Sequence, residues 1–148
     1  MSLKIRLRDD MQTAQRSKDK PRLGVIRLIM AAIKQREVDE RTELDDEQVL
    51  VILDKMAKQR RESIEQFRQA NRTDLADQET FELELIRTYL PAALSAEELT
   101  HLIDQALSDS GAESVRDMGQ VMGLLKPQVQ GRADMSAVSA QVKQRLSH

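Results

Sequence analysis

The sequence predicts an all-α protein: an N-terminal four-helix domain followed by a small three-helix tail domain. Three observations lead there. Hydrophobic residues make up 40% of the 148 and charged residues 32%, but aromatics only 2%, so aliphatic side chains and methionine must fill the core. Five glycines and three prolines are too few for the many turns of a β-sandwich. Apolar residues recur every three or four positions, which is the helical period.

Leu3, Leu7, Met11 and Ala14 mark a first amphipathic helix, broken at Ser17, Lys18, Asp19 and Lys20. Pro21 suits the first turn of helix two, about 21–40. Leu23, Val25, Ile26, Leu28, Ile29, Met30, Ala31, Ala32 and Ile33 cover most of its circumference, which predicts a central helix. Asp45 with Gln48 reads as a capping box opening helix three, whose inner side carries Val49, Leu50, Leu53, Met56, Ala57, Ile64 and Phe67. After a turn at 71–74, Asp74 is placed to cap helix four, with Leu75, Phe81, Leu85, Ile86 and Tyr89. Pro91 stops that helix, and the segment 91–94 is the expected boundary between domains 1–92 and 95–148. Ser95 with Glu98 is a second capping box, opening a helix that ends near Gly111. Ser114 with Asp117 opens a helix containing Gly119 and Gly123, with Val115, Met118, Met122 and Leu125 as its apolar stripe. Asp134 opens the last helix, with Val138, Val142 and Leu146 facing in. A three-helix tail is marginal alone by surface-to-volume scaling.

Composition excludes several classes of function. There is no cysteine, hence neither disulfide nor thiolate chemistry. No run is long and apolar enough for a membrane span or a signal peptide, so no membrane partner is expected and the cytoplasm is the expected compartment. Residues 1–41 hold 11 Lys and Arg against 6 Asp and Glu, residues 42–107 hold 7 against 15, and residues 108–148 hold 5 against 4. Such a distribution argues against wholesale coating by nucleic acid but leaves room for a local anion-binding face. No Gly-x-Ser-x-Gly elbow and no glycine-rich phosphate loop is present. His101 and His148 have no orienting partner in view, and Glu79, Glu82 and Glu84 read as solvated helix faces. No catalytic residue, metal or cofactor is expected, and the purified protein is expected neither to hydrolyse glutamine nor to consume ATP.

Three constellations can bind. Arg27 and Lys34 lie seven apart on helix two, beside Arg22; they form either a cationic strip or long stems covering the core edge while their heads reach water. Lys58, Arg60, Arg61, Arg68 and Arg72 on helix three have Glu62 and Glu65 interleaved and read better as a solvated face. The third is Gly119, Gly123, Lys126 and Arg132. Each glycine inside a helix costs about 1 kcal/mol relative to alanine, so something must approach the backbone closely. That something is either another helix filling a notch or an external ligand next to a cation. Phe67, Phe81 and Tyr89 sit at core-like positions, which argues against stacking on single-stranded RNA.

The run Met118-Gly119-Gln120-Val121-Met122-Gly123-Leu124-Leu125-Lys126, with Gly131-Arg132-Ala133-Asp134, resembles the tail of the B subunit of the tRNA-dependent Asp/Glu amidotransferase. Arg22-Leu23, Ala31-Ala32-Ile33-Lys34, Lys58-Gln59-Arg60-Arg61-Glu62-Ser63 and Tyr89-Leu90-Pro91 extend the likeness over nearly the whole chain, to the stand-alone members of the GatB/YqeY family. Met135 departs from it, where glycine would be expected. The resemblance implies an accessory protein that binds tRNA or another structured RNA, associated with carbon–nitrogen ligase activity that uses glutamine as amide donor, a reaction belonging to the full enzyme. The alternative is a protein–protein adaptor that docks on a synthetase or amidotransferase subunit.

Overall fold

The computed structural model describes residues 2–147. Among them lie seven α-helices, one short 3-10 turn and no strand, so the protein is all-α. The chain forms two units, one ending at Leu90 and the other starting at Pro91.

The first unit contains α1 (Leu3–Arg16), α2 (Lys20–Glu40), α3 (Asp46–Gln69) and α4 (Thr73–Arg87). Local chemistry sets most of the starts. Ser2 accepts from the Ile5 N–H at 3.2 Å, and Asp19 from that of Arg22 at 3.3 Å. The Asp45 and Gln48 box is formed in both directions, at 2.9 and 3.0 Å. Helix α4 departs from expectation: it begins at Thr73 without a side-chain cap, and Asp74 lies inside its first turn, paired with Arg72 at 3.2 Å. The carboxylate still sits at the positive end of the helix dipole. Lys18, Arg41 and Asn71, just past the ends of α1, α2 and α3, hold left-handed conformations with φ of 57°, 53° and 57°. They reverse the chain without glycine.

Leu7, Ile26, Ile29, Leu53 and Ile86 are fully buried at the centre of the unit. Helix α2 touches α1, α3 and α4, but it is not buried all round: Val25, Ile26, Ile29 and Ile33 face in, while Leu28 and Ala31 face out. Phe81 is also exposed, because the bundle covers Leu85 one turn later and leaves Phe81 outside. Phe67 is half-buried.

Besides the Leu3 N–H, which donates to the Asp46 carboxylate at 2.9 Å, two polar ties hold α1 in place. Tyr89 is buried; its hydroxyl donates to Asp10 at 2.5 Å, and the Arg6 guanidinium lies 4.7 Å from the ring centroid while donating to the Thr88 carbonyl. Burial first, then the bond to Asp10, pushes the phenol upward, so it remains a donor. Replacing Tyr89 by phenylalanine leaves a half-buried carboxylate without its donor. In urea unfolding it is expected to cost about 1–3 kcal/mol. The second tie is Glu37, which accepts from Lys4 at 2.5 Å and from the Leu44 N–H at 2.9 Å. Lys4 first, and then the Leu44 amide, hold this carboxyl below its ordinary value of 4.5. A depressed carboxylate contributes stability above its unfolded value and loses it as pH falls through the folded one. Acid titration of stability below about pH 4.5 should therefore be shallower in Glu37→Gln than in the parent.

The second unit contains α5 (Ala96–Ser110), the 3-10 turn Val115–Asp117, α6 (Met118–Val129) and α7 (Met135–Leu146). Ser95 and Glu98 form the expected box, and Asp134 accepts from the Ser136 N–H. Ile103, Val121, Leu125, Val129, Val138 and Val142 make its core. Gly111 and Gly131 take the left-handed conformations that follow α5 and α6, with φ of 66° and 76°. Among the described residues no helix is long and apolar enough to cross a membrane.

Candidate nucleic-acid interface

Helix α6 buries Val121, Leu125 and Val129 against α5 and α7. Met118 and Met122 are half-buried, while Val115 lies in the 3-10 turn and is 40% exposed, so the inner stripe is rotated from the one the sequence suggests. At 100° per residue, the face opposite Val121 carries Gly119, Gly123 and Lys126. All three are exposed. A methyl group built on Gly119 or Gly123 meets nothing within 4 Å. The glycines do not form a notch for another helix of this fold, and they leave a bare strip of backbone open to solvent. Pro127 does not end the helix, which continues through it to Val129. Because proline has no N–H, the carbonyl of Gly123 lacks the donor that residue i+4 normally supplies. The strip therefore offers a cation, close backbone approach and a carbonyl acceptor.

Arg132 stands apart from this face. Half-buried in the turn after α6, it donates from Nε to the Ala92 carbonyl at 3.1 Å, and its own carbonyl accepts from Leu94 at 2.9 Å. It fastens the start of the second unit to the α6–α7 turn. It also lines a hollow of about 390 Å³ with Leu94, Glu97, Glu98, His101 and Leu102. His101 is exposed there, and no hydrogen bond to its ring is found among the described residues; His148 lies outside them.

In the first unit, Arg27 and Lys34 are exposed on one side of α2. Arg22, five residues before Arg27, is rotated about 140° from it. It is half-buried, close enough to Tyr89 to act on the phenol electrostatically, and so leaves the strip.

The carboxylates of α4 require a correction. Glu79 and Glu82 are not simply solvated: they converge on Arg60 of α3, at 3.8 and 3.4 Å, with all three side chains mostly buried. The hairpin of α3 and α4 brings them together, so Arg60 leaves the solvated face on which local spacing puts it. Its Nε is buried without a hydrogen bond. Burial first, then repulsion from Glu82, raises the Glu79 carboxyl. Among the described residues no cluster of three His, Cys, Asp or Glu has the geometry to hold a metal ion. The exposed Phe81 removes part of the sequence argument against base stacking.

Known proteins are similar to this chain in sequence. The protein called altered inheritance of mitochondria protein 41, mitochondrial, from Pyrenophora tritici-repentis is 33% identical over 143 residues, 94% of this chain and 78% of that one. Its namesake in Eremothecium gossypii is 38% identical over 106 residues, covering 70% of this chain and 58% of its own. The Lachancea thermotolerans protein of that name is 29% identical over 143 residues. The YqeY-like protein family matches residues 4–146, from the first turn of α1 to the last residue of α7, and the chain belongs to that family.

Proposed function

We propose that this chain is a non-catalytic accessory protein that binds tRNA or another structured RNA through the open face of α6. The observation that carries the reading is the empty space over Gly119 and Gly123 beside the exposed Lys126. The fold has no internal use for bare backbone there, so the cost of about 1 kcal/mol at Gly123, inside the helix, points to an external ligand; Gly119 lies in the first turn of α6, where that cost is smaller. A phosphate suits Lys126, and a ribose 2′-hydroxyl, a donor that DNA lacks, suits the Gly123 carbonyl. An association with a glutamine-dependent tRNA amidotransferase follows as part of the same proposal, the chemistry residing in the larger enzyme. The compartment we infer is the cytoplasm; the printed names of the fungal relatives give those proteins as mitochondrial.

The test is filter binding of unmodified tRNA at two salt concentrations. Lys126→Ala should weaken binding and flatten the salt dependence by about one counterion-equivalent. Its melting curve should be unchanged, because Lys126 is exposed and makes no ion pair among the described residues. Arg132→Ala is a poorer probe, since it also removes the tie to Ala92. Wild-type protein that binds no structured RNA at low salt would defeat the reading. The adaptor reading is favoured by a different surface, on α2.

A further inference from the structure

A seven-residue spacing runs the length of α2. Gly24, Leu28, Ala31, Gln35 and Val38 step by four and three and so share one face. Leu28 is 47% exposed and Val38 59%. Along one edge of this face Lys20, Arg27 and Lys34, all exposed, recur every seven residues, and Arg41 follows at the same interval just past the helix. The other edge opens on a hollow of about 540 Å³ between α2 and α3, whose walls include Ala32, Val51, Ile52, Lys55 and Met56.

Charge identifies what can cover this face. On the hollow side the polar groups of α2 are satisfied within the helix: the Gln35 amide donates to Asp39 at 2.9 Å, and Arg36 to Glu40 at 2.8 Å. The cations of the opposite edge make no ion pair within 4 Å among the described residues, and neither does Lys55. Uncompensated charge is thus positive along the Lys20, Arg27 and Lys34 edge, whereas on the hollow side Asp39, held only by a neutral amide, offsets Lys55. Between the flanks lies apolar surface that gains by burial against another apolar surface, whereas a phosphate backbone would offer it nothing. A Cβ on Gly24 meets nothing within 4 Å, which leaves room for close approach. A second copy is a poor occupant, because α2 carries no acidic row to return, and antiparallel pairing would set cation against cation.

We propose that this face of α2 docks an acidic amphipathic helix of a partner protein, apolar where it meets Leu28, Ala31 and Val38 and lined by Glu or Asp along the edge that meets Lys20, Arg27 and Lys34. The 21 residues of α2 span about 31 Å, so the partner helix runs to roughly 20 residues. The proposal rests on the adaptor reading and is independent of RNA binding at α6.

The experiment uses the full chain and two fluorescein-labelled 21-residue helical peptides, with leucine at the facing positions and either glutamate or lysine along the flank that meets the cationic edge. Fluorescence anisotropy should show the glutamate peptide binding at least about tenfold tighter than the lysine one, less so in high salt. Leu28→Ser should lower that affinity about tenfold without shifting the melting curve. Arg27→Glu combined with Lys34→Glu should reverse the preference between the peptides. Equal binding of both peptides, binding of neither, or indifference to Leu28→Ser overturns the proposal. Structured RNA that loses affinity with the double charge reversal but not with Leu28→Ser would assign the row to phosphates, and a dimer in sedimentation dispersed by Leu28→Ser would assign the face to a second copy; either overturns it. Peptide binding is measured without RNA, so its failure leaves the reading of α6 standing, and failure at α6 leaves the peptide result standing.

Discussion

Gly123→Leu should abolish most RNA binding while leaving the protein at least as stable as before. Leucine in place of glycine gains about 1 kcal/mol of helix propensity. Nothing lies within 4 Å of the new Cβ, so no overpacking offsets that gain. The melting temperature should hold or rise by a few degrees. Binding should fall at least tenfold, more than with Lys126→Ala, because the side chain blocks the backbone strip and covers the Gly123 carbonyl. A mutant that unfolds early yet binds normally would revive the helix-packing explanation of the two glycines, and thermal melts beside filter binding would expose it.

Arg60→Ala should be the most destabilising change outside the apolar core. It leaves Glu79 and Glu82 facing each other, mostly buried, without the guanidinium that both approach. Removing one partner of a buried pair costs about 3–5 kcal/mol; partial exposure here lowers the expectation to about 2–3. The loss should depend on pH. Glu79 is already raised, by burial first and Glu82 second. A raised carboxyl favours the folded state fully below its unfolded value and loses that contribution as pH rises through the folded one. Without Arg60 the effect grows, so the deficit against wild type should be large near neutrality and shrink as pH falls and the raised Glu79 carboxyl takes up its proton. A deficit that is flat with pH would mean that the long stem of Arg60, and not its charge, is what the hairpin needs.

The elements legible in the sequence are those decided by neighbours along the chain. Both reciprocal capping boxes, at Asp45 and Ser95, and the left-handed end at Gly111 depend on residues three or four apart, and all are formed. Helix α2 was legible as a helix but not in its orientation. With nine apolar side chains spread round the axis, only the arrival of α1, α3 and α4 decides that Ile29 is covered and Leu28 is not. Arg60 illustrates the same limit. Its sequence neighbours Glu62 and Glu65 offer helix-face pairs, but the carboxylates it approaches come from α4, about twenty residues on. At α6 the glycine spacing was visible, and the choice between a filled notch and open space was not, because that depends on what the other helices leave uncovered. The cationic repeat on α2 could have been found by counting sevens from Lys20.

Glycine ends α5 and α6 in the ordinary way, but in the first unit and on α6 its placement is reversed. The turns after α1, α2 and α3 force Lys18, Arg41 and Asn71 into a conformation that suits glycine, while Gly24, Gly119 and Gly123 lie within helices where alanine would fit, Gly119 in the first turn. A redesign aimed only at thermostability would exchange the two sets, glycine into the turns and alanine into the helices, at roughly 0.5–1 kcal/mol per site. The result would be a hardier protein with its two outward-looking surfaces altered and its core untouched. Splitting that redesign in half makes a controlled instrument: the turn half, kept to Lys18 and Asn71 so that the cationic row ending at Arg41 is spared, should raise stability at no cost to binding, and the helix half should trade binding for stability, one surface at a time.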